Sequence, residues 1–178
     1  MRTFPLLTFR IDRTPWVQWL LAGLALCCTA AHADTYDDVE RLLRNGQVER
    51  AAQLSASHLQ KSPQDPQMRL LNSRILDAQG KAADAEVWLE SLTLEFPELP
   101  EPHNNLAVLY ARQGRLQDAL DSLNKALQAR PDYTAALENL GDLHLVQALQ
   151  AYQRAARVPS APPSVLRKAD AIAPLLPR

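Results

Sequence analysis

The chain has 178 residues, with 19 Lys and Arg against 20 Asp and Glu, so its formal net charge is −1. This balance excludes a polybasic nucleic-acid-binding protein, and the 47% of hydrophobic residues are enough to build a packed core. Only two Cys are present, which excludes a disulfide-rich scaffold and a four-thiolate zinc site. With five Gly and 6% aromatic residues, the composition favours helices over a strand-and-turn sandwich.

Residues 1–33 have the pattern of a secretory signal peptide. Three Arg precede an apolar run over 16–31, and the run ends in Ala-His-Ala at 31–33. We therefore predict cleavage between Ala33 and Asp34 and a periplasmic location. The run is shorter than the roughly 20 apolar residues that a membrane-spanning helix needs, so we expect no stable membrane insertion after cleavage.

Two alternatives would keep the chain at a membrane, as a membrane-held assembly factor of the envelope. An uncleaved segment 1–33 would act as an anchor, or a lipid would be attached at Cys27. Lipoprotein processing prefers a small residue before the Cys, whereas Leu26 stands there. Both Cys lie in this segment, so a chain that starts at Asp34 has no thiol, which is compatible with an oxidising compartment.

The rest of the chain repeats with a period of 34 residues, which is typical of helical repeat proteins. Three residue types recur in phase: Gly46, Gly80 and Gly114; Ala51, Ala85 and Ala119; Pro63, Pro97 and Pro131. Gly permits the backbone conformation at which a first helix ends, Ala lets a second helix approach the first, and Pro ends the second helix. The period therefore predicts pairs of antiparallel helices. Asp65 before Pro66 is predicted to cap a helix N-terminus.

These residues resemble the tetratricopeptide repeat family. The unit at 100–133 has the most complete set of matching residues, namely Asn105-Leu106-Ala107, Tyr110, Gly114, Ala119-Leu120, Ala126-Leu127 and Pro131. The units at 32–65 and 66–99 match in part, and the second has Asn72-Ser73 where Leu-Gly is usual. The resemblance implies an all-α solenoid of three helix-turn-helix repeats, with a repeat domain over 34–158, in an exported bacterial protein.

A fourth unit, at 134–157, begins like the others but lacks five residues, including the turn Gly. Its apolar stripe continues at helical spacing through the gap, as Leu137, Leu140, His144, Ala148, Tyr152 and Ala155. We therefore predict one continuous helix over 134–157 that acts as a C-terminal cap. Residues 159–178 contain five Pro and are predicted to form a tail of open role, with a short helix near 163–172.

No catalytic residue, metal ligand or cofactor is predicted. The histidines after the leader, His58, His103 and His144, occupy packing positions and lack metal-ligand spacing. The sequence has no nucleophile elbow, no Gly-rich phosphate loop, and no basic stripe interleaved with aromatic residues. An enzyme and a nucleic-acid-binding role are therefore not expected, and a hydrolase or metalloprotein with an unrecognised site stays as the alternative.

The resemblance implies that the first helices of successive repeats line a concave groove that binds a protein or peptide partner. By position, the groove residues are Tyr36, Glu40, Arg44, Leu70, Arg74, Asp77, Asn104, Val108, Arg112, Glu138 and Asp142. Charges of both signs alternate here with apolar side chains, a pattern suited to a mixed-charge peptide or helix. We therefore predict a non-catalytic adaptor or scaffold of the cell envelope, with the oligomeric state open.

The carboxylate clamp of some family members is not expected. Its basic and amide positions correspond here to Tyr36, Glu40, Leu71, Glu101 and Asn105. Two of these residues are acids, and they would repel a terminal carboxylate.

Overall fold

The computed structural model describes residues 35–176. The predicted signal peptide, its cleavage site and the alternative lipid site at Cys27 lie outside this range. Between 35 and 176 the chain forms eight α-helices and no strand, which confirms the predicted all-α repeat fold. The helices are α1 (35–44), α2 (Val48–Lys61), α3 (Pro66–Ala78), α4 (Ala82–Glu95), α5 (Pro100–Arg112), α6 (Leu116–Ala129), α7 (Thr134–Ala156) and α8 (Pro163–Ile172), and a 3-10 turn follows at Ala173–Leu175.

The three helical hairpins turn in the same way. The turn glycines all have positive φ: 69° at Gly46, 77° at Gly80 and 76° at Gly114. At the third hairpin the Gly114 N–H donates to the Ala111 carbonyl at 3.0 Å, and the Arg115 N–H donates to the Tyr110 carbonyl at 2.9 Å. The same pair of bonds recurs at the other two turns. Each first helix therefore ends in a Schellman motif, which requires the left-handed backbone that Gly adopts without strain.

The helices stack into a solenoid. From α2 to α8 each helix packs against its neighbours in the sequence, and α5 also contacts α7 across the intervening α6. The odd-numbered helices α1, α3 and α5, with the first half of α7, therefore form one layer, and the even-numbered helices α2, α4 and α6 form the other. No helix in the described range is both long enough and apolar enough to cross a membrane.

The core consists of two apolar clusters. One joins α1, α2 and α3 through Val39, Ala51, Met68, Leu71 and Ile75. The other joins α4 to α7, and its largest buried side chains are Leu89, Leu106, Leu109, Tyr110, Leu123 and Leu143. Burial of these side chains supplies most of the favourable free energy of folding.

A charged contact joins α3 to α4 between the two clusters. Arg69 is 6% exposed, and its guanidinium donates to both carboxylate oxygens of Glu95, at 2.6 and 2.7 Å. It also donates to the Ser91 hydroxyl at 3.0 Å. The hydrogen bond from Arg69, with a second from Ser91, lowers the pKa of Glu95 to about 2. A bidentate ion pair therefore replaces part of the apolar packing in the second unit.

The fourth unit is one continuous helix, as predicted. α7 runs without a break from Thr134 to Ala156, because the residues that would form the turn are missing. The short helix expected in the tail is also present, as α8, and it packs against α7. The amine of Lys168 lies 5.4 Å from the ring centroid of Tyr152. The Pro-rich segment thus contributes a helix that covers the second half of α7.

Two residues of the predicted apolar stripe on α7 are less buried than expected. Leu137 is 49% exposed, and His144, predicted to pack in the interior, is exposed with its ring nitrogen 3.3 Å from the Gln147 amide oxygen. The prediction for His144 was wrong for a physical reason. In a complete repeat a second helix covers these positions, and the fourth unit does not form one.

Candidate functional site

A cavity of about 340 Å³ opens on the layer formed by α1, α3 and α5. It is lined by Leu43, Arg44, Ser73, Arg74, Asp77, Ala78, Ala85, Leu89, Asn105, Val108 and Leu109. We call this lining, together with Glu40, Arg112, Glu138 and Asp142, the groove. Four residues that the sequence placed in a groove therefore line the cavity itself, namely Arg44, Arg74, Asp77 and Val108.

The cavity has an apolar floor and a charged rim. Leu89 and Leu109 are buried beneath it, whereas Val108 is 39% exposed at its edge. Arg74 and Asp77 stand beside this apolar surface. Sites that take a peptide side chain combine these two features, because the apolar floor provides affinity and the polar groups fix orientation.

The charged groups of the groove pair with one another across successive repeats. Glu40 accepts from Arg44 Nη1 at 3.1 Å and from Arg74 Nη1, one repeat later, at 3.4 Å. Arg112 donates in the same way to Asp77 of the preceding repeat. These side chains are 27–64% exposed, so the pairs contribute little to stability. Their main effect is to position the charged side chains of the groove relative to one another.

Sequence reasoning named these residues but missed their pairing. A signal was present, because Glu40 and Arg74 are 34 residues apart and Asp77 and Arg112 are 35 apart. Opposite charges one repeat apart lie on neighbouring helices in a solenoid.

Tyr36 lies in the packing between helices, although the sequence placed it in the groove. Its hydroxyl donates to Asp65 Oδ2 at 2.5 Å, and its ring centroid is 5.4 Å from that of His58. Burial, with the nearby Asp65 carboxylate, raises the pKa of Tyr36 to about 12. The phenol is thus engaged with the chain itself.

Asp65 is the centre of this contact. Its Oδ1 accepts from the N–H groups of Gln67 and Met68, at 3.0 and 3.1 Å, which confirms the predicted helix cap. Its Oδ2 lies 2.6 Å from His58 Nε2. Burial alone would raise the pKa of Asp65, but the hydrogen bonds from Tyr36, Met68 and His58 outweigh it and lower that pKa. The network connects α1, α2 and α3.

Leu70 and Asn104 also belong to the helix packing. Leu70 packs against the larger apolar cluster. Asn104 is buried, and its Oδ1 accepts from Asn139 Nδ2 at 2.8 Å. Asn104 therefore holds α5 to α7 and is not presented to a ligand.

Glu138 and Asp142 differ from the other acids of the groove. They lie one turn apart on α7, one repeat after Asn104 and Val108. Glu138 is exposed and Asp142 is half-buried. In the described part of the chain neither carboxylate forms an ion pair. They are the acids at the end of the groove.

His103 is buried between α5 and α6. Burial, with the positive charge of Lys125, lowers its pKa, and a hydrogen bond with the Pro97 backbone partly opposes this. Across residues 35–176, no group of three or more His, Cys, Asp or Glu side chains is arranged to hold a metal ion.

The sequence matches two models of the tetratricopeptide repeat family, one over residues 42–109 and the other over residues 100–133. Together they span more than half of the chain. A comparison with curated proteins gives no match.

Solved structures show the same fold. The tetratricopeptide repeat domain of Sgt2 from Aspergillus fumigatus superposes with a TM-score of 0.61 at 15% identity, covering 72% of this chain and 85% of that domain. The first such domain of human RPAP3 gives 0.57 at 13% identity, covering 64% and 90%.

A chain from the structure of Naa15/Naa10 bound to HypK-THB gives a TM-score of 0.58 at 17% identity. The match covers 80% of this chain but only 22% of that one, so this chain spans about a fifth of its length. The chain described here belongs to the tetratricopeptide repeat family, whose repeats generally mediate protein–protein interactions and are typically non-catalytic.

Proposed function

We propose that this protein is a non-catalytic adaptor of the cell envelope that binds a peptide or helix of a partner protein in the groove. The observation that carries the proposal is the cavity of about 340 Å³ on α1, α3 and α5. Its floor is apolar, its rim carries both signs of charge, and Val108 at its edge is accessible.

The groove suits one apolar side chain of the partner, flanked by polar contacts. Three repeats present a small surface, at or below the roughly 800 Å² per partner of a standard interface. We therefore expect moderate affinity and a short partner segment. Such a segment would contribute main-chain contacts along the groove and one anchoring side chain in the cavity.

The test is a charge exchange that preserves the pairing within the groove. Asp77→Arg combined with Arg112→Glu keeps a cross-repeat ion pair but inverts the charges that a partner meets. We expect this variant to lose capture of the main partner in a crosslinked pulldown from an envelope fraction, while its thermal melt is nearly unchanged.

A matched exchange outside the groove is the control. Arg130 pairs with Glu101 at 3.2 Å, and neither residue lines the cavity. Glu101→Arg combined with Arg130→Glu should keep full capture. If the Asp77→Arg, Arg112→Glu variant still captured the partner fully, binding would occur elsewhere, for instance through residues 159–178.

The envelope location is a second part of the proposal, supported by the pattern of residues 1–33. We propose that the leader is cleaved and that the mature protein is periplasmic. Mass spectrometry of protein purified from its native cells tests this. A mass that starts at Asp34 supports it, whereas a lipid on Cys27 or a retained N-terminus would support the membrane-held alternative.

A further inference from the structure

The pairing of charges in the groove has a direction. Arg74 pairs with Glu40 of the unit before it, and Arg112 pairs with Asp77 of the unit before it. Each acid is therefore neutralised by an arginine from the following unit. An acid in the last unit has no following unit to supply that arginine.

Glu138 and Asp142 occupy this last position. They lie on α7, the first helix of the incomplete fourth unit, and within residues 35–176 they form no ion pair. Arg112, the basic groove residue of the preceding unit, pairs with Asp77 on α3. This end of the groove therefore keeps a net negative charge.

The opposite end has a surplus of positive charge. Among the charged side chains of the groove, Arg44 and Arg74 share the single carboxylate of Glu40, so these three side chains together carry a net charge of +1. The groove is consequently polarised, basic over α1 and α3 and acidic over α7, with the apolar cavity between. Oppositely charged ends of this kind orient a ligand more than they strengthen its binding.

We propose that the partner segment in the groove is charge-polarised, with acidic residues over α1 and α3, one apolar side chain in the cavity, and Lys or Arg over α7. The basic residue would pair with Glu138 and Asp142 in place of the arginine that a further repeat would supply. This inference rests on the proposed function, because it specifies the ligand of the same groove.

The helix spacing sets the length of the segment. Packed helices lie about 8–10 Å apart, so α3 and α7, two helices apart in their layer, are separated by about 16–20 Å. An extended chain rises about 3.3 Å per residue. The acidic and basic groups of an extended partner should therefore be about five or six residues apart.

Two synthetic peptides of identical composition test this inference. One is Asp-Asp-Gly-Leu-Gly-Ser-Gly-Lys-Lys, and the other is Asp-Lys-Gly-Leu-Gly-Ser-Gly-Asp-Lys. Both are N-acetylated and C-amidated, so that the ends of the second carry no net charge. Titration into the purified chain from Asp34 onward, followed by NMR chemical shifts, gives both the Kd and the location of binding. We expect the first peptide to bind about tenfold more tightly, with a preference that shrinks as salt is added.

A pair of variants assigns the preference to α7. Glu138→Lys with Asp142→Lys should abolish it and should raise affinity for an all-acidic peptide. Glu98→Lys with Asp132→Lys changes the charge by the same amount at exposed loop positions and should leave the preference intact.

The outcomes separate the two proposals. Equal affinity of both peptides, with shifts at Arg74 and Val108, would overturn the charge polarity but keep the groove. A preference that survives in the Glu138→Lys, Asp142→Lys variant would also overturn it, as would no shift with the first peptide at millimolar concentration. Shifts confined to residues outside the groove would count against the proposed function itself.

Discussion

The second and third repeats have the same backbone but different interiors. In both, a first helix of 13 residues is followed by a second of 14. Both bury leucines together with polar side chains, among them Ser73 in the second and Asn104 in the third, but only the second buries a charged guanidinium, that of Arg69. Turn glycines and helix lengths therefore set the architecture of each unit, while the side chains buried between the helices can differ from one unit to the next.

The third repeat, which has no buried ion pair, should be the more sensitive to loss of apolar volume. Leu123 is buried in the larger cluster, so Leu123→Ala should lower the free energy of unfolding by about 2–5 kcal/mol. Urea denaturation measures this change, and it should be similar at low and high salt. A loss well below 1 kcal/mol would mean that the third repeat is not the stable part of the fold.

The turn glycines of both repeats should contribute to stability because they adopt a positive φ without strain. Apart from its two chain neighbours, no residue has a heavy atom within 4 Å of where a Cβ would lie at Gly114. Gly114→Val should therefore cost about 1–2 kcal/mol because of the positive φ alone. Gly141, inside α7 and equally uncrowded, is the matched control. Gly141→Ala should stabilise the protein by about 0.5–1 kcal/mol. Similar effects of the two substitutions would contradict the assigned turn.

The charged contact of the second repeat should depend on salt. Arg69→Met keeps most of the apolar volume but removes the bonds to Glu95 and Ser91. We expect a smaller loss of stability than for Leu123→Ala, and the difference from the unmodified protein should shrink in 1 M NaCl, because salt screens the partly exposed pair. A loss independent of salt would show that Arg69 acts through packing alone.

The two regions should also lose stability in different pH windows. The folded-state pKa of His103 lies below its usual value, so the unfolded chain binds more protons as the pH falls through about 6.5, and stability decreases. His103→Gln should remove this dependence of stability on pH between pH 7.5 and 5.5, whereas His144→Gln, at an exposed position, should keep it. Urea denaturation at several pH values across this range measures the effect.

The first repeats should lose stability in acid through Asp65. The folded-state pKa of Asp65 is lowered, so its contribution is complete above the unfolded value of about 3.9 and is lost as the pH falls through the folded value. Asp65→Asn should flatten the dependence of stability on pH in this acid range. A dependence that survives the substitution would show that other carboxylates produce it.

Much of the fold was predictable because it depends on local signals. The positive φ of Gly114 follows from a 34-residue spacing, and the continuous α7 follows from apolar residues that keep helical spacing across a missing turn. The residues of the groove could be predicted only from their position within the repeat. Tyr36 and Asn104 are engaged with Asp65 and Asn139, and such partners, 29 and 35 residues away, depend on how side chains meet between helices.

The most direct test of groove binding is a photo-crosslinker placed at two exposed valines. Val108 lies at the cavity edge, and Val87 on α4 is 64% exposed and outside the cavity lining. Benzoylphenylalanine at position 108 should crosslink the partner that is recovered in pulldowns, and the Asp77→Arg, Arg112→Glu exchange should abolish that product. The same product from position 87, or a product from position 108 that survives the exchange, would contradict binding in the groove.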